Sequence, residues 1–202
     1  MSASSTPARQ TRFAWAPVTL TTLRLILGPV VLALAWKHVP GAWIAGCTFV
    51  AIVSDIYDGI IARRLHIDTE TLRRYDSFAD TVFYIGIAWA AWRLHPEAIG
   101  ENAYLLATIF ALEIARYGFD FAKFRREASY HMYSSKVWGL VLAGATIVLF
   151  AFGTSGWLFR IALLLGVVCD LEGLAISMVL PRWTHDVPSI AHALKLRRRT
   201  QE

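Results

Sequence analysis

From Asp55 to Asp80 the chain reads DIYDGIIARRLHIDTETLRRYDSFAD. Asp58, Gly59 and Ala62 follow Asp55 by 3, 4 and 7 positions, which puts all four on one face of a helix. Asp76 and Asp80 lie four apart and share a face of a second helix. A short polar stretch joins the two segments, and each runs directly into a long apolar one. The reading is a helix pair with four carboxylates at its mouth. Such groups repel one another and resist burial unless something cationic sits between them. An oxygen-only donor set of this density suits Mg²⁺ or Mn²⁺, not zinc.

Working outward, the surrounding chain demands a membrane. It is 202 residues long and 56% hydrophobic, with a mean hydropathy of +0.46, beyond an ordinary soluble domain. Six apolar stretches approach the roughly 20 residues needed to cross a hydrocarbon core. They fall at 18–36, 43–63, 76–94, 103–121, 136–153 and 157–180. The expected fold is therefore an all-α integral membrane protein of six transmembrane helices. Residues 1–17 form a cytoplasmic or interfacial N-terminal segment, 18–180 the six-helix transmembrane domain, and 181–202 a basic cytoplasmic tail. Arg9 and Arg12 precede an apolar run, as in a signal peptide. That run is too long for an h-region and carries Arg24, so it reads as a retained first span.

Orientation follows from Lys and Arg. Placing both termini on one side puts sixteen basic residues there, from Arg9 and Arg12 through Arg63, Arg64, Arg73 and Arg74 to the final Arg197–Arg199 run. Only Lys37, Arg93 and Arg160 lie opposite, so the positive-inside rule sets the termini and the Asp cluster in the cytoplasm. The net charge of +5 and the LKLRRR ending then read as attraction to anionic lipid headgroups. Nucleic acid is the rival partner for such a run, but no motif accompanies it. Cys47 and Cys169 stand alone in apolar helices and read as structural thiols. The eight tryptophans mostly flank the spans, as an interfacial belt does.

The stretch resembles the signature of the CDP-alcohol phosphotransferases, D-x2-D-G-x2-A-R-x8-G-x3-D-x3-D. Asp55, Asp58, Gly59, Ala62, Arg63, Asp76 and Asp80 match it, and Leu72 stands at its second glycine. The LTTLRL segment at Leu20–Leu25 adds to the likeness. The resemblance implies metal-dependent transfer of a phosphatidyl-type group from a CDP-linked lipid, CDP-diacylglycerol, to an alcohol, with release of CMP. It implies Mg²⁺ or Mn²⁺, as two ions, on Asp55, Asp58, Asp76 and Asp80. Asp80 is the expected general base. Asp55, Asp58, Gly59, Ala62 and Arg63 are expected to bind the CDP donor. A homodimer in the cytoplasmic (inner) membrane is expected, with its site facing the cytoplasm.

Each of these residues also has a plainer reading. Asp55 and Asp58 could be helix-end acids paired with Arg63 and Arg64, and Gly59 and Ala62 could be helix-packing residues. Glu113, Arg116, Asp120 and Lys123 form a stripe that reads as a self-paired ladder, or as an acceptor contact through Arg116. With Lys136, Arg116 is the candidate acceptor-binding residue, and glycerol 3-phosphate, the acceptor of a phosphatidylglycerophosphate synthase-like member, is the expected acceptor. Inositol, inositol phosphate or an amino alcohol is the alternative. Asp170 and Glu172 lie inside the sixth apolar stretch and read as pocket-lining acids or as partners of Arg24 or Arg116. His66, His185 and His192 face water or headgroups. An ion-coupled transporter also carries intramembrane acids, but it predicts repeated halves, and none are visible. A non-catalytic family member has only Leu72 in its favour.

Overall fold

Apolar runs bounded by turn chemistry give a chain of helices and no strand among the described residues, which are 15–65, 69–126, 130 and 132–199 of this computed structural model. In chain order these are α1 (Trp15–Trp36), α2 (Gly41–Leu65), α3 (Glu70–Leu94), α4 (Pro96–Glu101), α5 (Ala103–Phe124), α6 (Tyr133–Phe152), α7 (Trp157–Val179) and α8 (Ile190–Arg199). Expectations for residues 1–14, His66 and 200–202 lie outside the described residues.

All six expected spans are helices. Four of them, α1, α2, α6 and α7, are long and apolar enough to cross a membrane. The other two are long enough at 25 and 22 residues, about 37 and 33 Å at the α-helical rise. Charge is what sets them apart. α3 carries Arg74, Asp76, Asp80 and Arg93, and α5 carries Glu113, Arg116, Asp120 and Lys123. Large apolar side chains such as Phe110, Ile114, Phe121, Phe49 and Ile85 are exposed on the outside of the protein, where lipid rather than water suits them. Trp15, Trp36, Trp43, Trp92 and Trp157 are exposed at or near helix ends, in keeping with the belt.

The chain divides into two compact units, each described on its own. The first contains the described residues to Pro96 with Phe150–Gly153. Its α1 buries Pro17, Thr21, Arg24, Gly28, Val31 and Ala35, a stripe with alternating steps of four and three. α2 answers with Ile44, Thr48, Ala51, Ser54, Asp58 and Ala62, and α3 with Ala79, Phe83, Ile87 and Ala90. Small residues let the backbones approach. A Cβ at Gly86 would stand 2.9 Å from the carbonyl oxygen of Gly28, and one at Gly28 would stand 3.1 Å from that of Val82. α1 and α3 therefore cross in direct backbone contact.

The second unit contains Glu97–Leu149 and the described residues from Thr154 onward. α5 packs on α7, and α7 on α8. The basic tail also packs into the core of this unit. Ala193 and Leu196 of α8 pack into an apolar cluster with Met132, Cys169, Ile176, Leu180 and Val187, while Lys195, Arg197 and Arg198 stay exposed.

Candidate active site

Three helices of the first unit bring five charged residues together. α2 supplies Asp55 and Asp58, α3 supplies Asp76 and Asp80, and α1 supplies Arg24. The Arg24 side chain is almost wholly buried, at 3% exposed. Its Nη1 donates to Asp55 and, at 2.6 Å, pairs with Asp80 Oδ1. Its Nη2 donates to Asp58 Oδ2 and Asp76 Oδ1, both at 2.6 Å. The planar guanidinium thus meets four carboxylates with its two terminal nitrogens, a geometry that an ammonium point charge lacks. Thr21, one helical turn away, adds a long hydrogen bond of 3.4 Å from its Oγ1 to Asp58 Oδ2.

The cluster has a dry side and an accessible side. Side-chain exposure is 7% at Asp58, 31% at Asp80, 35% at Asp76 and 49% at Asp55. Carboxylate oxygens of Asp55, Asp76 and Asp80 all lie within 4.8 Å of one another. Three hard anionic donors at that separation, with no thiol or imidazole among them, fit a Mg²⁺- or Mn²⁺-type cation. Asp58, the fourth expected ligand, is outside that trio and reaches it through Arg24. Of the other expected donor-site residues, Ala62 is buried, whereas Arg63 is exposed. A Cβ at Gly59 would stand 3.3 Å from Nη1 of Arg63, so the arginine side chain folds over the bare glycine backbone.

Leu72, which stands at the second glycine of the signature, lies in the first turn of α3. Its N–H donates to Thr69 Oγ1 at 3.2 Å, so Thr69 is the N-cap. That is ordinary helical backbone. Leu72 is not among the positive-φ non-glycine residues of the described chain, which are His38, Arg125 and Asp186, so no left-handed geometry here requires a glycine.

Arg116 and Lys136, the expected acceptor residues, belong to the second unit. Arg116 donates to Glu113 Oε1 at 2.7 Å and lies 5.3 Å from the centre of the Tyr117 ring. It runs past Gly173, where a Cβ would stand 3.1 Å from its Cδ. Lys136 is exposed, with Nζ 5.9 Å from the centre of the Tyr133 ring. The expected ladder on α5 is split. Glu113 pairs with Arg116, but Lys123 leaves the stripe to donate to the carbonyls of Ser177 and Met178 at 2.8 and 3.1 Å. A cation there complements the C-terminal end of α7.

Glu172 also has a local structural role. Its Oε1 accepts from the N–H of Ile190 at 3.3 Å, capping the start of α8. Asp170 is buried, and its Oδ2 has no hydrogen-bond partner. Tyr130 and Ser177 place their hydroxyls 3.1 Å apart. Burial pushes the Tyr130 phenol up from its ordinary pKa, and the Ser177 hydrogen bond opposes that shift.

The sequence offers Asp170 or Glu172 as a partner for Arg24, but its ion pairs are with Asp55, Asp58, Asp76 and Asp80. The signal for its place is nevertheless present: four carboxylates require a cation, and Arg24 is the only basic residue of the 18–36 stretch.

Comparison with protein families finds that the model described as CDP-alcohol phosphatidyltransferase matches residues 14–171. Neither a curated protein nor a solved structure matches the chain.

Proposed function

We propose a specific reaction for this chain, which belongs to the CDP-alcohol phosphatidyltransferase family and is thereby a phosphotransferase that uses a CDP-alcohol donor and an alcohol acceptor. The reaction is transfer of the phosphatidyl group of CDP-diacylglycerol to glycerol 3-phosphate, with CMP leaving. The observation that carries this reading is the convergence of Asp55, Asp76 and Asp80 within 4.8 Å at the spacing of the family signature.

The acceptor hydroxyl attacks the lipid-side phosphorus, the bond from that phosphorus to the bridging oxygen breaks, and the electron pair departs with CMP. Asp80 takes the hydroxyl proton as general base. Asp55, Asp76 and Asp80 hold divalent metal, with Asp58 positioned through Arg24. When bound, the metal supplies charge neutralisation for the diphosphate and for the departing CMP. Gly59 keeps the helix surface low beneath Arg63, so the nucleotide approaches the helix through that arginine, and the buried Ala62 lets the helices pack closely beside it. Arg63 meets the diphosphate charge as a bidentate donor. Asp80 has two carboxylate oxygens, so one can serve a cation while the other accepts the proton.

Arg116 and Lys136 recognise the acceptor phosphate. Arg116→Ala and Lys136→Ala are each expected to raise the KM for glycerol 3-phosphate by roughly 10- to 150-fold, the loss of one charged hydrogen bond worth about 1.5–3 kcal/mol. Steady-state CMP release at varied acceptor concentration measures this. CMP release with serine or inositol, and none with glycerol 3-phosphate, sinks the acceptor assignment and leaves the family chemistry standing.

The same reading gives six spans, with α3 and α5 as the two charged ones. The catalytic domain covers 18–180, flanked by a 1–17 segment and a 181–202 tail in the cytoplasm. The protein acts as a homodimer in the inner membrane, with the Asp cluster on the cytoplasmic face. Single cysteines at Glu70 and at Glu97, in a background lacking Cys47 and Cys169, are expected to react with impermeant thiol reagent from opposite sides. Labelling of both from one side rules the topology out.

A further inference from the structure

Four carboxylates gathered inside a membrane protein carry a large electrostatic cost, and the cost has to be met while the chain folds, before any metal is in place. Arg24 meets it from within the sequence. Its side chain is 3% exposed and ion-paired with Asp55, Asp58, Asp76 and Asp80 together. Its Nε has no hydrogen-bond partner, so the residue's hold on its surroundings comes from the two terminal nitrogens alone. Three of its four partners are the same residues whose oxygens converge within 4.8 Å.

A guanidinium and a divalent cation repel when they share the same few carboxylates in a weakly screened site. Both also draw on the same anionic oxygens. We propose that Arg24 is a built-in counter-cation: it holds the four aspartates in register before metal binds, and divalent metal loads by displacing its guanidinium from the trio. This rests on the reading of Asp55, Asp76 and Asp80 as metal ligands. The residue then acts as a positioning residue that sets metal affinity, and it trades site stability in the unloaded protein against tightness of loading.

The test uses the purified full-length protein in detergent, with Mn²⁺ as the probe. Binding is read by electron paramagnetic resonance, and thermal unfolding by tryptophan fluorescence in chelator and in Mn²⁺. Arg24→Gln removes the charge and is expected to tighten Mn²⁺ binding by about 10- to 100-fold, since a competing cation is gone. In chelator it should unfold at lower temperature than the wild type. The gain in Tm on adding Mn²⁺ should exceed the wild-type gain by about 3–6 °C for each tenfold in affinity. Arg24→Lys keeps the charge but loses the planar fork, so its Mn²⁺-induced gain should fall between the two, and it supplies the answer if Arg24→Gln does not fold.

A purely structural Arg24 predicts a different pattern, an equal fall in Tm with and without Mn²⁺ and unchanged affinity in both variants. That result, or weaker binding in either variant, overturns the proposal while wild-type Mn²⁺ binding keeps the metal reading intact. Absence of saturable Mn²⁺ binding to the wild type overturns both.

Discussion

Asp80→Asn is expected to lower CMP release by about 10²- to 10⁴-fold, the contribution of a positioned general base, while metal-dependent binding of the CDP donor persists. The amide keeps the shape of the carboxyl and a neutral oxygen but accepts no proton at the acceptor hydroxyl. Asp55→Asn is expected to behave differently. It removes one anionic oxygen ligand from a trio of three, so donor binding and turnover fall together and extra Mn²⁺ does not restore them fully. Equilibrium binding of the CDP donor, measured with and without Mn²⁺ alongside turnover, separates the two outcomes. The geometry makes this a severe test, because Asp80 lies within the same 4.8 Å group as Asp55 and Asp76. Loss of donor binding in Asp80→Asn equal to that in Asp55→Asn means that Asp80 serves the cation alone and removes it as the base.

The helical class was legible because membrane spans announce themselves by length and composition, and because helical offsets put Asp55 with Asp58 and Asp76 with Asp80. α3 and α5 were legible as helices for the same reason. Their membrane character is harder to read, since the charges that make α3 useful to a site also dilute its apolar run. Arg24 could be seen in the sequence but not its partners, because 31 to 56 residues separate it from the four aspartates and only the crossing of α1 with α2 and α3 closes that gap. Glu172 and Lys123 have partners that the sequence does not name. Lys123 reads as a rung of a ladder on its own helix and Glu172 as an intramembrane acid, and each satisfies the orphan backbone groups at the end of a neighbouring helix. Helix-end partners depend on tertiary contact, which no local spacing encodes. Leu72 stood out only against a pattern, and its first-turn placement shows a helical backbone that accepts a side chain.

The close crossing of α1 and α3 yields the second large effect. Gly28 lies one helical turn beyond Arg24, and Gly86 lies six residues, or about 9 Å along the axis, beyond Asp80. At Gly86 even a methyl group meets the Gly28 carbonyl oxygen at 2.9 Å, a backbone atom that cannot rotate away. Gly86→Leu must therefore push the helices apart, at an overpacking cost of about 1–3 kcal/mol. The separation pulls Arg24 away from Asp76 and Asp80 and spreads the ligand trio, whose third member Asp55 is on α2. A displacement on the order of 1 Å at a reacting centre costs about 10²-fold in rate, so turnover should fall by that order and Mn²⁺ binding should weaken with it. Gly46→Leu is the matched control, since nothing lies within 4 Å of a Cβ there. It should retain turnover, Mn²⁺ affinity and Tm close to the wild type. Thermal unfolding establishes that each variant is folded before its kinetics are read. Wild-type turnover in folded Gly86→Leu means that the α1–α3 crossing does not position the site, and Arg24 then reaches the aspartates by some other constraint.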